Sequence, residues 1–185
     1  MSNNSTLKTR DLVISALLIA IGILIPMIFT GPPFRWVVGP YSATLMAHVP
    51  VILAMFISPW VAVFTAVGTT LGFFITADLV VAVRAASHIL FALVGAYMLK
   101  KGANLIITCL VTGIIHAVFE GLVVLIFFAV GLSTPQAGYS MIVLAIITVA
   151  GTFIHHIVDY TIAVIIGSAL AKAKAIRKLP PIWKN

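Results

Sequence analysis

Charge is what this chain has least of. Only 8% of its 185 residues are charged, and only four of those are acidic: Asp11, Asp78, Glu120 and Asp159. Soluble domains carry about 25% charged residues, so the scarcity excludes an ordinary water-soluble domain. Hydrophobic residues make up 62% of the sequence and the mean hydropathy is +1.23, which identifies an integral membrane protein. The single cysteine, Cys109, has no partner for an intrachain disulfide and reads as a small apolar residue. Alternating apolar and polar runs are missing, which excludes a transmembrane β-barrel. There is no Gly-rich phosphate loop, no Ser/His/Asp order and no paired acids for proteolysis. The segment 1–9 lacks the short apolar region and small-residue cleavage site of a signal peptide, so the first apolar stretch is expected to be a retained helix.

What charge there is has a pattern. The net charge is +7, yet nine of the eleven Lys and Arg residues (Lys8, Arg10, Lys100, Lys101, Lys172, Lys174, Arg177, Lys178 and Lys184) sit at the ends or in one short turn. That is the signature of cytoplasmic segments rather than of nucleic-acid binding. The length accommodates about six helices of ~20 residues. The expected fold is an all-α integral membrane protein: a six-transmembrane-helix bundle, one membrane domain over 1–185, with both termini cytoplasmic.

The helices are expected at about 11–29, 41–58, 61–76, 78–99, 105–130 and 141–171. Thr9 and Asp11 are placed to cap the first, and Asp78 the fourth. Ala16 and Ala20 share one face of the first helix, which allows close approach of another helix. The segment 30–40 carries three prolines and two glycines, which forbid regular helix. Its Phe34 and Trp36 suit a membrane interface or a lid over a pocket. Pro50 is expected to kink the second helix, with His48 bonding a carbonyl that the kink frees. Gly68 and Gly72 form a Gly-x-x-x-Gly packing face on the third. The loops at 30–40, 77–78 and 131–140 are expected to face outward.

Arg84 stands inside an apolar run. A guanidinium in hydrocarbon costs about 2.5–3.5 kcal/mol or more and cannot shed its proton. It therefore needs a protein interior, a water-filled cavity or an anion. Three later helices each carry a polar pair at i,i+4: Arg84/His88, His116/Glu120 and His155/Asp159. At ~1.5 Å per residue Arg84 lies roughly 9 Å, and His88 about 15 Å, below the outer helix end. Glu120 falls in the same outer half, His116 and His155 fall near mid-membrane, and Asp159 falls deeper. Arg84 and Glu120 read as a functional pair or as a buried structural ion pair. Asp159 and His156 read as packed structural groups. The set His116, Glu120, His155, His156 and Asp159 also allows an intramembrane metal-dependent enzyme, although both of its spacings are weak motifs. The reading preferred here is a non-enzyme without bound metal.

Six helices in under 200 residues, a basic tail, Ala16-x-x-x-Ala20, a Pro/Gly-rich first outward loop and polar residues on the last three helices occur together here. In this combination the chain resembles, over essentially its whole length, the substrate-binding S component of an energy-coupling factor (ECF) vitamin transporter. The resemblance implies that the chain captures a vitamin from outside at the bacterial plasma membrane. It would then join a transmembrane coupling protein and two cytoplasmic ATPase subunits, which hydrolyse the ATP, and topple in the bilayer to release its cargo. Ala16 and Ala20 would dock on the coupling protein, and the loops at 32–40 and 77–78 would gate the pocket. The stretch 39–59 is similar to the niacin-type members. An outer-half arginine is a natural partner for a small carboxylate, and Trp36, Phe34, Tyr41 or Tyr139 could stack on an aromatic ring. The expected site is thus Arg84, His88, Glu120, Trp36, Tyr41, His116, His155 and Tyr139, with nicotinate as substrate. Pantothenate, folate and a queuosine precursor are the alternatives. The chain does not begin with the Met-His of the nickel and cobalt members.

Overall fold

In the computed structural model the described residues are 9–38, 41–132, 139–174, 176 and 179–180. Lys8, Arg177, Lys178, Lys184, residues 39–40 and residues 133–138 of the segment 131–140 expected to face outward fall outside them. The elements are α1 (Thr9–Ile28), β1 (Arg35–Val38), β2 (Tyr41–Thr44), α2 (Val49–Met55), α3 (Pro59–Thr76), α4 (Leu79–Ala86), α5 (His88–Lys100), α6 (Leu105–Ala129) and α7 (Met141–Lys172). Among the described residues five stretches are long and apolar enough to cross a membrane: α1, α3, α4 with α5, α6 and α7. Their outward faces expose Leu17, Ile28, Ile75, Ile146, Ile154 and Ile165. In water such a surface would aggregate; in hydrocarbon it costs nothing. The protein is a helical, multi-pass membrane protein.

Four helix starts are written locally. The side chains of Ser58, Asp78, Asn104 and Ser140 accept the backbone N–H of Val61, Val81, Ile107 and Val143 at 3.2, 3.0, 2.8 and 3.3 Å. Each satisfies a donor that the first helical turn leaves orphaned.

The segment expected as a second helix over 41–58 is built otherwise. Tyr41–Thr44 pairs antiparallel with Arg35–Val38, in the register Arg35↔Thr44 through Val38↔Tyr41. The helix is reduced to the seven residues of α2, all of them buried. Pro50 does not kink it but starts it, in the first turn where its missing N–H has no cost. Among the described residues the bundle is helical as expected apart from this two-stranded hairpin, to which the Pro/Gly-rich segment contributes a strand.

The direction of the chain follows from glycine contacts. A Cβ on Gly68 would strike Ile19, and one on Gly72 would strike Ile23. The Gly68-x-x-x-Gly72 groove thus receives a ridge of α1. Both numbers rise together, so α1 and α3 run parallel. The chain must return along the bundle between Ile28 and Pro59, and the hairpin and α2 make that return.

Ser87 interrupts the helix expected over 78–99. Its Oγ donates to the Arg84 carbonyl at 2.7 Å, and Thr70 Oγ1 donates to the Ala85 carbonyl at 3.1 Å. Side-chain hydroxyls thus take up carbonyls at the join between α4 and α5. The apolar core gathers around α2, with Ile52, Met55, Phe91, Ala92, Ala163 and Tyr160 nearly inaccessible.

Candidate binding site

The polar residues on α4 to α7 meet those of the β2–α2 turn in one buried cluster. All five histidines of the chain belong to it. His48 is the centre: its ring lies 4.6 Å from His88, 4.5 Å from His116 and 4.7 Å from His155, centroid to centroid and edge-on. His116 and His156 meet through their Nδ1 atoms at 3.1 Å. His156 Nε2 reaches the Thr112 hydroxyl at 3.0 Å, so His156 is a satisfied interior residue, as expected.

Two carboxylates organise the cluster. Glu120, on α6, divides its oxygens. Oε2 accepts from Arg84 Nη2 at 2.6 Å and from the Thr152 hydroxyl at 2.6 Å. Oε1 faces His88 Nε2 at 3.2 Å and His116 Nε2 at 3.4 Å. Asp159, on α7, accepts the backbone N–H of Met46 at 2.8 Å and of His48 at 3.0 Å. His48 Nδ1 and His155 Nε2 each lie 3.1 Å from its Oδ2. Asp159 therefore ties the β2–α2 turn to α7, and His48 bonds this carboxylate rather than a carbonyl freed by a kink. Arg84 is 4% exposed; its Nη2 also donates to the Ser42 carbonyl at 3.2 Å, and its guanidinium lies 5.7 Å from the centre of the Tyr41 ring. Tyr41 fits there because Gly151 on α7 has no Cβ to meet it.

Two cavities lead to this cluster. The outer one, about 380 Å³, is lined by the ends of α1 and α3 and by the hairpin, including Thr30, Arg35, Ser42, Thr44 and Thr76. The inner one, about 40 Å³, is lined by His48, Arg84, His88, Glu120 and His155 among others. They share Ser42, Thr44, Phe73 and Val81 as walls, so the two cavities lie side by side.

The structure thus brings together Arg84, His88, Glu120, His116, His155 and Tyr41 from the expected set. Trp36 and Tyr139 are exposed and line neither cavity. Trp36 donates from Nε1 to the Pro33 carbonyl at 3.0 Å. Sequence reasoning missed Arg35 as a cavity residue, although its buried Nε has no hydrogen-bond partner among the described residues. A cation in an apolar, outward-facing segment was the available signal. Ala16 and Ala20 lie exposed on α1, while Ser15, Leu18, Gly22 and Ile25 of the same helix are buried.

Long apolar helices closed around a buried cluster of arginine, histidine and carboxylate side chains define a membrane protein with a polar interior. The chain is 39% identical over 181 residues to the niacin transporter NiaX of Lactococcus lactis subsp. cremoris (strain MG1363), covering 94% of this chain and 80% of that protein. The chain belongs to the family of that niacin transporter, which bears out the resemblance to niacin-type members read from the sequence. No protein-family model and no solved structure matches it.

Proposed function

We propose that this protein is the vitamin-capturing S component of an ECF importer and that its substrate is nicotinate. The observation that carries the reading is Arg84, a buried guanidinium on the wall of a small cavity adjoining a larger one. An anion is the ligand such a group is built to hold. The inner cavity, about 40 Å³, is far smaller than the outer, about 380 Å³, which favours the carboxylate in the first and the ring in the second. The carboxylate enters the inner cavity toward Arg84 while the ring remains in the outer cavity against Phe73 and Val81. Arg35 on the outer wall adds a second positive charge along the path, which favours entry of an anion.

The role is binding, with energy left to partners: a transmembrane coupling protein, met through the Ala16/Ala20 face, and two cytoplasmic ATPase subunits. The enzyme reading is not favoured, because the nearest arrangement of its residues is divided. His116 belongs with Glu120 and His156, while His155 belongs with Asp159. A thermal-shift and equilibrium-binding screen of water-soluble vitamins on the solubilised protein tests the proposal. Nicotinate is expected to bind and stabilise; preferential binding of pantothenate, folate or a queuosine precursor would reassign the substrate.

With α1 and α3 parallel, the hairpin–α2 return makes a sixth pass, and both ends then lie on the cytoplasmic side of the cell membrane. In a Cys109→Ala background, a membrane-impermeant maleimide is expected to label Leu132→Cys in intact cells. Gly102→Cys should react only after permeabilisation. The opposite pattern would invert the topology.

A further inference from the structure

The histidine cluster holds more ligating groups than an anion site needs. His48, His88, His116 and Glu120 each offer one atom, and all four atoms lie within 4.8 Å of one another, every residue buried. Nitrogen and oxygen ligands at their usual distance from zinc stand about 3.3 Å apart. Glu120 Oε1 stands 3.2 Å from His88 Nε2 and 3.4 Å from His116 Nε2. The second contact is not a hydrogen bond: His116 Nε2 is fully buried and has no hydrogen-bond partner among the described residues. A donor atom aimed at a carboxylate oxygen without bonding it is the arrangement two ligands of one ion adopt.

The surroundings are those of a metal site. A ligating imidazole usually has its other nitrogen held by a carboxylate or another polar group. His48 Nδ1 is held by Asp159 and His116 Nδ1 by His156, which Thr112 holds in turn. Glu120 keeps Arg84 and Thr152 on one oxygen and leaves the other to the histidines. The charges point the same way. Two buried carboxylates face one guanidinium, and a bound carboxylate would add a third negative charge in a medium that tolerates little imbalance. A divalent ion restores neutrality.

We infer that His48, His88, His116 and Glu120 bind one divalent transition-metal ion of the zinc class, whose remaining coordination position faces the inner cavity. Imidazole with carboxylate suits such ions better than magnesium or calcium. The second possible group, His48 with His155 and Asp159, is the weaker site, because Asp159 already accepts two backbone N–H groups. Taken with the nicotinate reading, on which this part alone rests, the substrate carboxylate is shared between Arg84 and the ion.

The test uses the full chain carrying a non-histidine affinity tag, purified without chelator. Elemental analysis is expected to find about one equivalent of zinc-class metal. After stripping, added cobalt(II) should give the visible ligand-field bands of a low-coordinate nitrogen–oxygen site. His88→Ala and Glu120→Gln should abolish those bands, and Asp159→Asn, acting through His48, should weaken metal affinity about 10- to 100-fold. Neither metal in the parent protein nor cobalt bands on titration would overturn the site. Cobalt bands unchanged in both His88→Ala and Glu120→Gln would place the metal elsewhere and overturn it equally. Nicotinate binding is then measured with and without metal: a loss on stripping, reversed by zinc, supports the shared carboxylate. Undiminished binding by the stripped protein would refute that sharing while leaving the nicotinate reading standing.

Discussion

Arg84→Ala is expected to lower nicotinate affinity by roughly 30- to 5000-fold. Removing one partner of a buried charge-assisted contact typically costs about 2–5 kcal/mol, and each ~1.4 kcal/mol is a factor of ten. The guanidinium is buried, so bulk water does little to screen its contact with a substrate carboxylate. Arg84→Lys should recover part of the loss, because an ammonium supplies the charge but not the planar fork. Nicotinamide, with no negative charge, should bind the parent protein much more weakly than nicotinate. Folding of the variant is checked by size exclusion in detergent; Thr152, His88 and His116 still surround Glu120 when Arg84 is gone. Equal affinity in parent and folded variant would reduce Arg84 to one half of a structural ion pair.

Ala16→Trp combined with Ala20→Trp is expected to abolish uptake while leaving nicotinate binding by the isolated protein intact. Both alanines lie on the exposed side of α1, opposite the residues that pack toward the bundle. Two indoles there would hold a partner helix several ångströms further off than small residues allow. The pocket is built by other elements and by the far end of α1. Copurification of the coupling protein and vitamin uptake by cells give the readout. If binding fails while copurification survives, the docking face lies elsewhere.

Much of the bundle was legible because hydropathy and capping are local. The apolar runs, the Asp78 cap and the Gly68/Gly72 groove each needed only a few consecutive residues. The second segment was misread because its apolar composition suits a helix and a buried strand alike, and Pro50 can start a helix as well as bend one. Register decides, and register depends on Arg35–Val38 meeting Tyr41–Thr44 across the turn. In the site, the meeting of Arg84 and His88 with Glu120 followed from depth along the two helices expected over 78–99 and 105–130. The convergence of His48 with His155 and Asp159 did not. A rise per residue along one helix says nothing of how deep a short, hairpin-fed segment places its first residue.

The length of α7 has a consequence for the lipid. Its 32 residues extend about 48 Å at ~1.5 Å per residue. An apolar rod of that length fits within a hydrocarbon layer of about 30 Å only at a tilt near 50°, steeper than membrane helices usually adopt. The mismatch has to be relieved by leaning, by bending or by projecting the Lys172 end into the aqueous phase. Since α7 also carries His155, His156 and Asp159, acyl-chain length becomes a variable of the pocket itself. A bilayer that thickens or thins presses on the same helix that holds one wall of the binding cluster.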